Sequence, residues 1–176
     1  RFVGRFVGAK RGAHTVLVHL SLSSFKTEDW LSPSFRLGGS LPDDVWRQRH
    51  RLLLGLTWFH AVIIALVGPV IGYRWEFSLE ALFADGTVLH TVWEGLFVAL
   101  LAVLASCNIN RRLRSVLVAV GLMSSSAILV HLSGGYIELH FHFFVMIIFL
   151  AFYQDWAPFL AGILYVAIHH GLVGVL

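Results

Sequence analysis

Long apolar runs separated by short polar segments form the dominant pattern along this chain. Crossing the hydrocarbon core of a bilayer takes roughly 20 apolar residues in a helix. Five runs approach that length: residues 52–73, 88–107, 115–132, 137–153 and 157–176. Because lipid offers no partners for free backbone groups, such runs cross it as helices. The pattern therefore predicts an all-α, polytopic transmembrane helix bundle with about five spans in residues 41–176.

Composition agrees with lipid as the main solvent. Hydrophobic residues make up 57% of the chain and charged residues 13%, with a mean hydropathy of +0.77. Residues 1–40 lack a run long enough to cross a membrane, and we expect them to be poorly ordered. An over-extended reading frame and a native N-terminal segment are the two alternatives for their origin. The start at Arg1 and the end at Leu176, inside an apolar run, indicate a sequence truncated at its C-terminus.

Basic residues flank the apolar runs in two clusters, which predict the orientation of the chain. One cluster precedes the first run and the other separates the second from the third: Arg47, Arg49, His50 and Arg51, then Arg111, Arg112 and Arg114. Basic loops stay in the cytoplasm. We therefore expect a multi-pass membrane protein with a cytoplasmic N-terminus. In this interpretation the basic residues behind the net charge of +3 set the orientation of the chain in the membrane. We therefore expect no nucleic-acid partner.

Histidines are the chemically distinctive residues, since ten occur in 176 residues. The predicted topology puts six of them in the outer half of the bundle, and His60 about midway through the first run: His90, His131, His140, His142, His169 and His170. Ionisable side chains in a bilayer usually face the interior of the bundle. Imidazole is also a common ligand of zinc, copper and haem iron.

Two overlapping sets of candidate ligands follow from this placement. The candidate cofactor-binding residues are His131, His140, His142, His169 and His170, and the candidate metal ligands are His90, Glu94, Glu138, His140 and His169. The cofactor is unknown; copper, zinc and haem are the options. On a helix, His140 and His142 point about 200° apart, so a regular helix cannot aim both at one small ion. Interhelical hydrogen bonding without a cofactor and proton sensing are the alternatives.

The sequence gives no positive sign of catalysis. It contains no phosphate-binding glycine loop and no nucleophile elbow, and its single cysteine, Cys107, excludes a disulfide within the chain. We expect no enzyme activity from this chain. The run Ser124-Ser125-Ser126 with Gly121 is typical of a close helix-packing face.

Several motifs resemble one known family. They are the segment from Pro42 to Arg51, the run His131-Leu-Ser-Gly-Gly-Tyr-Ile-Glu-Leu-His-Phe-His-Phe143, the run Tyr153-Gln-Asp-Trp156, and His169-His170. The chain from about Leu41 to Leu176 resembles the N-terminal membrane-sensor region of bacterial signalling proteins. These are chiefly diguanylate cyclases and phosphodiesterases, sensor histidine kinases and methyl-accepting chemotaxis proteins. The resemblance implies one further span and a cytoplasmic output domain downstream. It also implies a location in the bacterial cytoplasmic (inner) membrane.

A sensory input module is therefore the leading hypothesis for function, with the lipid bilayer and a downstream signalling domain as partners. Signalling proteins of this kind are often dimers, so a homodimer is one expected state. The alternatives are a transporter or channel, favoured by polar residues inside the runs, and a haem-binding membrane protein of electron transfer.

Overall fold

The computed structural model describes residues 41–173, and over this range the chain is all-helical. The five α-helices are α1 (Asp43–Ile71), α2 (Val88–Ser106), α3 (Arg111–Leu132), α4 (Ile137–Leu150) and α5 (Trp156–Val173). Short 3-10 helices cover Glu80–Leu82 and Ala151–Tyr153. The prediction of poor order for residues 1–40 lies outside the described range, as do the last three residues of the predicted fifth span.

Three of these helices are long and apolar enough to cross a membrane, namely α1, α2 and α3. The other two apolar helices are shorter, at Ile137–Tyr153 and Trp156–Leu172. The all-helical class is thus confirmed, together with three candidate membrane spans. That the two shorter helices also cross the bilayer, giving about five spans, stays a prediction.

Two helices begin earlier than the apolar runs that predicted them. The helix α1 starts at Asp43 rather than near residue 52, and α3 starts at Arg111 rather than near residue 115. Hydropathy marks only the part of a helix that lipid can surround, and basic residues extend both helices beyond it. Local chemistry favours the earlier starts, because Asp43 and Asp44 complement the positive helix end and the Asn110 side chain accepts a hydrogen bond from the Arg112 N–H.

The helix α3 lies at the centre of the bundle and packs against each of the other four helices. Its serine run is buried; the Ser125 hydroxyl donates to the Gly121 carbonyl one turn back, and the Ser126 hydroxyl lies 3.1 Å from the Leu122 carbonyl oxygen. A Cβ atom on Gly121 would come within 2.9 Å of the Thr57 methyl group on α1. This is the close-packing face that the small residues predicted.

Consecutive helices run in alternating directions, which separates the two ends of the bundle. At one end, Arg111 at the start of α3 donates to the Leu41 carbonyl just before α1. At the other end, His131 near the end of α3 contacts Asp85 in the α1–α2 connection. The basic residues at the start of α3 and the Ser133 turn after it therefore lie at opposite ends, as the predicted topology requires.

The close packing of α1 against α2 can be tested at Gly95, because this glycine contacts the backbone of α1. A Cβ at this position would lie 2.7 Å from the Ala61 carbonyl oxygen and 2.9 Å from the Ala65 nitrogen. Neither atom can move without shifting the helix. We expect Gly95→Ala to destabilise the folded protein by about 1–3 kcal/mol, the usual cost of overpacking, measured as a lower thermal unfolding midpoint in detergent.

Gly55 on α1 is the matched control, since nothing lies within 4 Å of a Cβ built there. Alanine is favoured over glycine inside a helix by up to about 1 kcal/mol, so Gly55→Ala should leave the midpoint unchanged or raise it. Equal losses in both variants would show that α1 and α2 do not pack this closely.

Candidate histidine sites

The candidate residues fall into separate groups rather than one site. We call His60 and His142, with Ser126, the central pair; Asp85, His90, Glu94 and His131 the outer cluster; and His140, His169 and His170 the α4–α5 group. A fourth group, Trp46, His50 and Tyr153, lies at the opposite end of the bundle and is called the inner lock.

The central pair joins α1 to α4 by a direct contact between imidazoles. The Nε2 atoms of His60 and His142 lie 3.1 Å apart, and the rings meet edge to face. The Nδ1 atom of His60 lies 2.7 Å from the Leu56 carbonyl oxygen, and Nδ1 of His142 lies 2.8 Å from the Ser126 hydroxyl on α3. Three helices therefore meet through one chain of hydrogen bonds.

The direction of these hydrogen bonds follows from the carbonyl at one end. A carbonyl only accepts, so His60 donates from Nδ1 and, when neutral, accepts at Nε2. His142 then donates from Nε2 and accepts at Nδ1 from the Ser126 hydroxyl. All four ring nitrogens are satisfied in this way. Since haem held by two histidines separates them on opposite faces of its ring, the directly bonded central pair is not arranged as haem ligands.

The outer cluster lies where the α1–α2 connection meets the ends of α2 and α3. Nε2 of His131 lies 3.2 Å from an Asp85 carboxylate oxygen, and Nε2 of His90 lies 3.7 Å from the same oxygen. Glu94, one turn after His90, comes within 3.5 Å of that Nε2 atom. Nitrogen and carboxylate oxygen atoms therefore converge on one point, which can hold protonated imidazoles or a cation.

Local structure holds His90 in place within this cluster. Thr87 caps the start of α2 by accepting a hydrogen bond from the His90 backbone N–H. The His90 ring donates from Nδ1 to the Leu82 carbonyl oxygen at 2.7 Å, at the end of the 3-10 helix Glu80–Leu82. The connection between α1 and α2 thus orients the imidazole and leaves its Nε2 lone pair facing the carboxylates.

The α4–α5 group brings imidazoles of these two helices together. His140 and His170 have ring centroids 5.6 Å apart, and each ring donates from Nδ1 to the carbonyl one turn back on its own helix. The Phe143 ring packs against both His169 and His170. His169 presents a buried Nδ1 atom with no hydrogen-bond partner among the described residues.

The predicted ligand sets are thus divided among different parts of the bundle. His140 and His142 point to different groups, as their helical spacing indicated. The set His131, His140, His142, His169 and His170 is spread over three groups. Of the candidate metal ligands, His90 and Glu94 lie in the outer cluster, and His140 and His169 in the α4–α5 group. Glu138 is exposed at the start of α4 and belongs to none of the groups.

The inner lock was missed by sequence reasoning, which counted His50 as a basic residue of the topology signal. Its ring is buried and stacks on Trp46 at a centroid distance of 4.6 Å. Nε2 of His50 donates to the Ala105 carbonyl, so Nδ1 accepts from the Tyr153 hydroxyl at 2.8 Å. The only signal was the spacing of Trp46 and His50, four apart on one helical face.

Guanidinium groups of α3 cover the other face of this lock. Arg111 and Arg114 each lie 5.1 Å from the Trp46 ring centroid, and Arg114 also donates to the Ala105 carbonyl. The Trp46 indole N–H donates to the Ser115 hydroxyl. Helices α1, α2 and α3 and the end of α4 are fixed together here by polar contacts, which gives the basic residues a structural role besides topology.

Long apolar helices joined by contacts between histidines describe a helical membrane protein, and the comparison with known proteins finds a signal transducer that is similar to it. The chain is 33% identical over 139 residues to Transducer protein Htr8 of Halobacterium salinarum. The match covers 79% of this chain and 22% of that relative, so the chain spans less than a quarter of the relative's length. No protein-family model matches the chain. No solved structure matches it either.

This similarity agrees with the signal-transduction part of the resemblance found in the sequence. It does not bear on diguanylate cyclases or histidine kinases in particular. The relative comes from an archaeon, so the bacterial origin expected from the sequence finds no support in it.

The interaction free energy between His60 and His142 can be measured by a double-mutant cycle of His60→Ala and His142→Ala. Each single change leaves a buried nitrogen without its partner, so the two losses in unfolding free energy should not add. From unfolding in mixed micelles we expect a coupling energy of about 0.6 kcal/mol, the average for interhelical hydrogen bonds in a membrane protein, and at most about 1.7 kcal/mol, the largest value found. Pairing His60→Ala with His140→Ala is the control and should give additive losses. If the losses in unfolding free energy were additive in both cycles, the contact between His60 and His142 would be refuted.

Proposed function

We propose that residues 41–176 form a membrane-embedded sensory input module of a signal-transduction protein. One observation carries this proposal: each histidine contact between helices joins a different pair. His60–His142 joins α1 to α4, His90–His131 joins α2 to α3, and His140–His170 joins α4 to α5. Because imidazole contacts join these helices, a ligand or a proton gained by one imidazole would change the packing of several helices.

The proposed signal is a shift in helix packing. A ligand changes a conformational equilibrium only by binding one arrangement more tightly than another. Imidazoles between helices meet this condition, because a second proton on the central pair or a metal ion between two rings changes the distance at which the helices are stable. A histidine-bound metal or haem is the proposed class of ligand. The chain itself carries no proposed catalysis.

The remaining parts of the proposal concern orientation and partners. We place the N-terminus and the basic start of α3 in the cytoplasm, and the outer cluster on the opposite side of the cytoplasmic membrane. The basic clusters support this orientation. A downstream cytoplasmic signalling domain is supported by the similarity to a transducer. A homodimer stays a prediction by analogy.

The sensory role can be tested by replacing the matched segment of the Halobacterium transducer with residues of this chain. Cells that carry the chimera and lack the native transducer should recover its signalling response. The chimera with His142→Ala should respond less, because the contact between α1 and α4 is lost. The chimera with Gly55→Ala, which touches nothing, should respond as the unchanged chimera does. A chimera that reaches the membrane without restoring any response would contradict the sensory role.

The orientation can be tested with the single native cysteine. Cys107 is exposed between α2 and α3, so a membrane-impermeant maleimide should label it only after cells are permeabilised. In a Cys107→Ser background, Glu76→Cys places the thiol in the α1–α2 connection, where intact cells should be labelled. Labelling of both sites in intact cells, or of neither, would contradict the proposed topology.

A further inference from the structure

We propose that the outer cluster is a binding site for a divalent transition-metal ion of the zinc class. Its ligands would be Nε2 of His90, Nε2 of His131, a carboxylate oxygen of Asp85 and a carboxylate oxygen of Glu94. The ligand set differs from both sets predicted from the sequence, because it adds Asp85 and joins His131 to His90 and Glu94.

The separations between these atoms suit a tetrahedral ion. Bonds of 2.0–2.1 Å to zinc place neighbouring ligand atoms roughly 3.3 Å apart. The observed separations are 3.2 Å for His131–Asp85, 3.7 Å for His90–Asp85 and 3.5 Å for His90–Glu94. One ligand atom each from Asp85, His90 and His131 lies within 4.8 Å of the others. Glu94 lies beside this group of three, and a rotation of its side chain would bring a carboxylate oxygen to the ion as the fourth ligand.

Two buried atoms of the cluster lack hydrogen-bond partners, which points to a ligand rather than to a finished polar network. They are Nε2 of His90 and Oε2 of Glu94. Buried polar atoms are normally paired, because an unpaired one costs about 1–3 kcal/mol. A metal ion would satisfy both at once, since each atom offers it a lone pair.

Protonation states and charge also suit a divalent cation. The hydrogen bond from Nδ1 of His90 to the Leu82 carbonyl leaves Nε2 of the neutral ring unprotonated, as a metal ligand must be. Two carboxylates and two neutral imidazoles around a divalent ion sum to zero charge. A neutral assembly is much cheaper than an isolated ion to hold against apolar helices.

Burial divides the ligands into an inner half and an open half. The His90 and Glu94 side chains are 11% and 14% exposed, whereas those of His131 and Asp85 are 49% and 79% exposed. An ion can therefore enter from the aqueous side, past the two rim ligands. Mixed imidazole and carboxylate ligands favour zinc and its neighbours over calcium or magnesium, which prefer oxygen alone.

The site rests on the proposed sensory function only for its role as an input. Asp85 lies in the α1–α2 connection, His90 and Glu94 on α2, and His131 near the end of α3. An ion held by all four would bind the connection to both helices and fix their relative position at the outer end. Metal binding itself can be measured without any signalling output.

Metal binding can be tested on the full 176-residue chain, purified in detergent and stripped with a chelator. Residues 1–40 include His14 and His19, so every variant carries alanine at both. Cobalt(II) is added as a spectroscopic probe and then displaced with zinc. We expect visible absorption bands of tetrahedral cobalt that zinc removes at one equivalent.

The exposed ligands His131 and Asp85 are the best positions for substitution, because replacing them leaves the buried core of the bundle intact. Loss of a residue that only supports a ligand typically weakens metal binding about 10- to 100-fold. His131→Ala and Asp85→Asn should each weaken cobalt and zinc binding by at least the lower of these factors, with helical content unchanged by circular dichroism. His170→Ala, an exposed histidine of the α4–α5 group, is the control and should bind as before.

Any of three results would overturn the site. They are the absence of a tetrahedral cobalt spectrum from the unaltered cluster, binding that His131→Ala leaves unchanged, and a loss on His170→Ala equal to that on His131→Ala. If the metal binds as expected but a chelator leaves the response of a working transducer chimera unchanged, the site stands and its role as an input is refuted.

Discussion

A polar side chain surrounded by apolar helices must find its partner on another helix or on its own backbone, and this requirement organises the interior of the bundle. Water is scarce there, so an unpaired imidazole or hydroxyl is expensive. Serine and threonine meet the requirement locally by bonding to carbonyls one turn back, as Thr57 and Ser125 do. Histidine is longer and has two nitrogens, so it can reach a neighbouring helix with one of them, as His60 does, or with both, as His142 does. Imidazoles become the connections between helices for this reason.

Close backbone approach is the second condition for these connections. The glycines at 95 and 121 and the serine run of α3 bring backbones near enough for short side chains to reach across. With large residues there, the 2.8 Å contact between Ser126 and His142 could not form. The small-residue face and the histidine contacts therefore depend on each other, since the first sets the spacing that the second requires.

Sequence patterns predicted the helices well because hydropathy and the 1.5 Å rise per residue are local properties. They predicted helix starts less well, because Asp43 and Arg111 lie outside the apolar runs although their segments are helical. The different directions of His140 and His142 also followed from local helix geometry. The residue that each histidine contacts could not be predicted in this way, because whether His142 meets His60 depends on how α1 and α4 pack. Asp85 was understood only as an acidic residue of an outer connection, and His50 only as a positive charge, because neither neighbourhood is visible along the chain.

The single hydrogen of the Ser126 hydroxyl gives the central pair a further property. Its oxygen lies 2.8 Å from Nδ1 of His142 and 3.1 Å from the Leu122 carbonyl, but it can donate to only one of them. While the pair is neutral, the hydroxyl points across to α4. When His142 is doubly protonated, its Nδ1–H becomes a donor, and the hydroxyl must rotate back to its own helix. The charge of His142 would therefore decide which helix receives this hydroxyl hydrogen, and the exchange needs only a rotation of the Ser126 side chain.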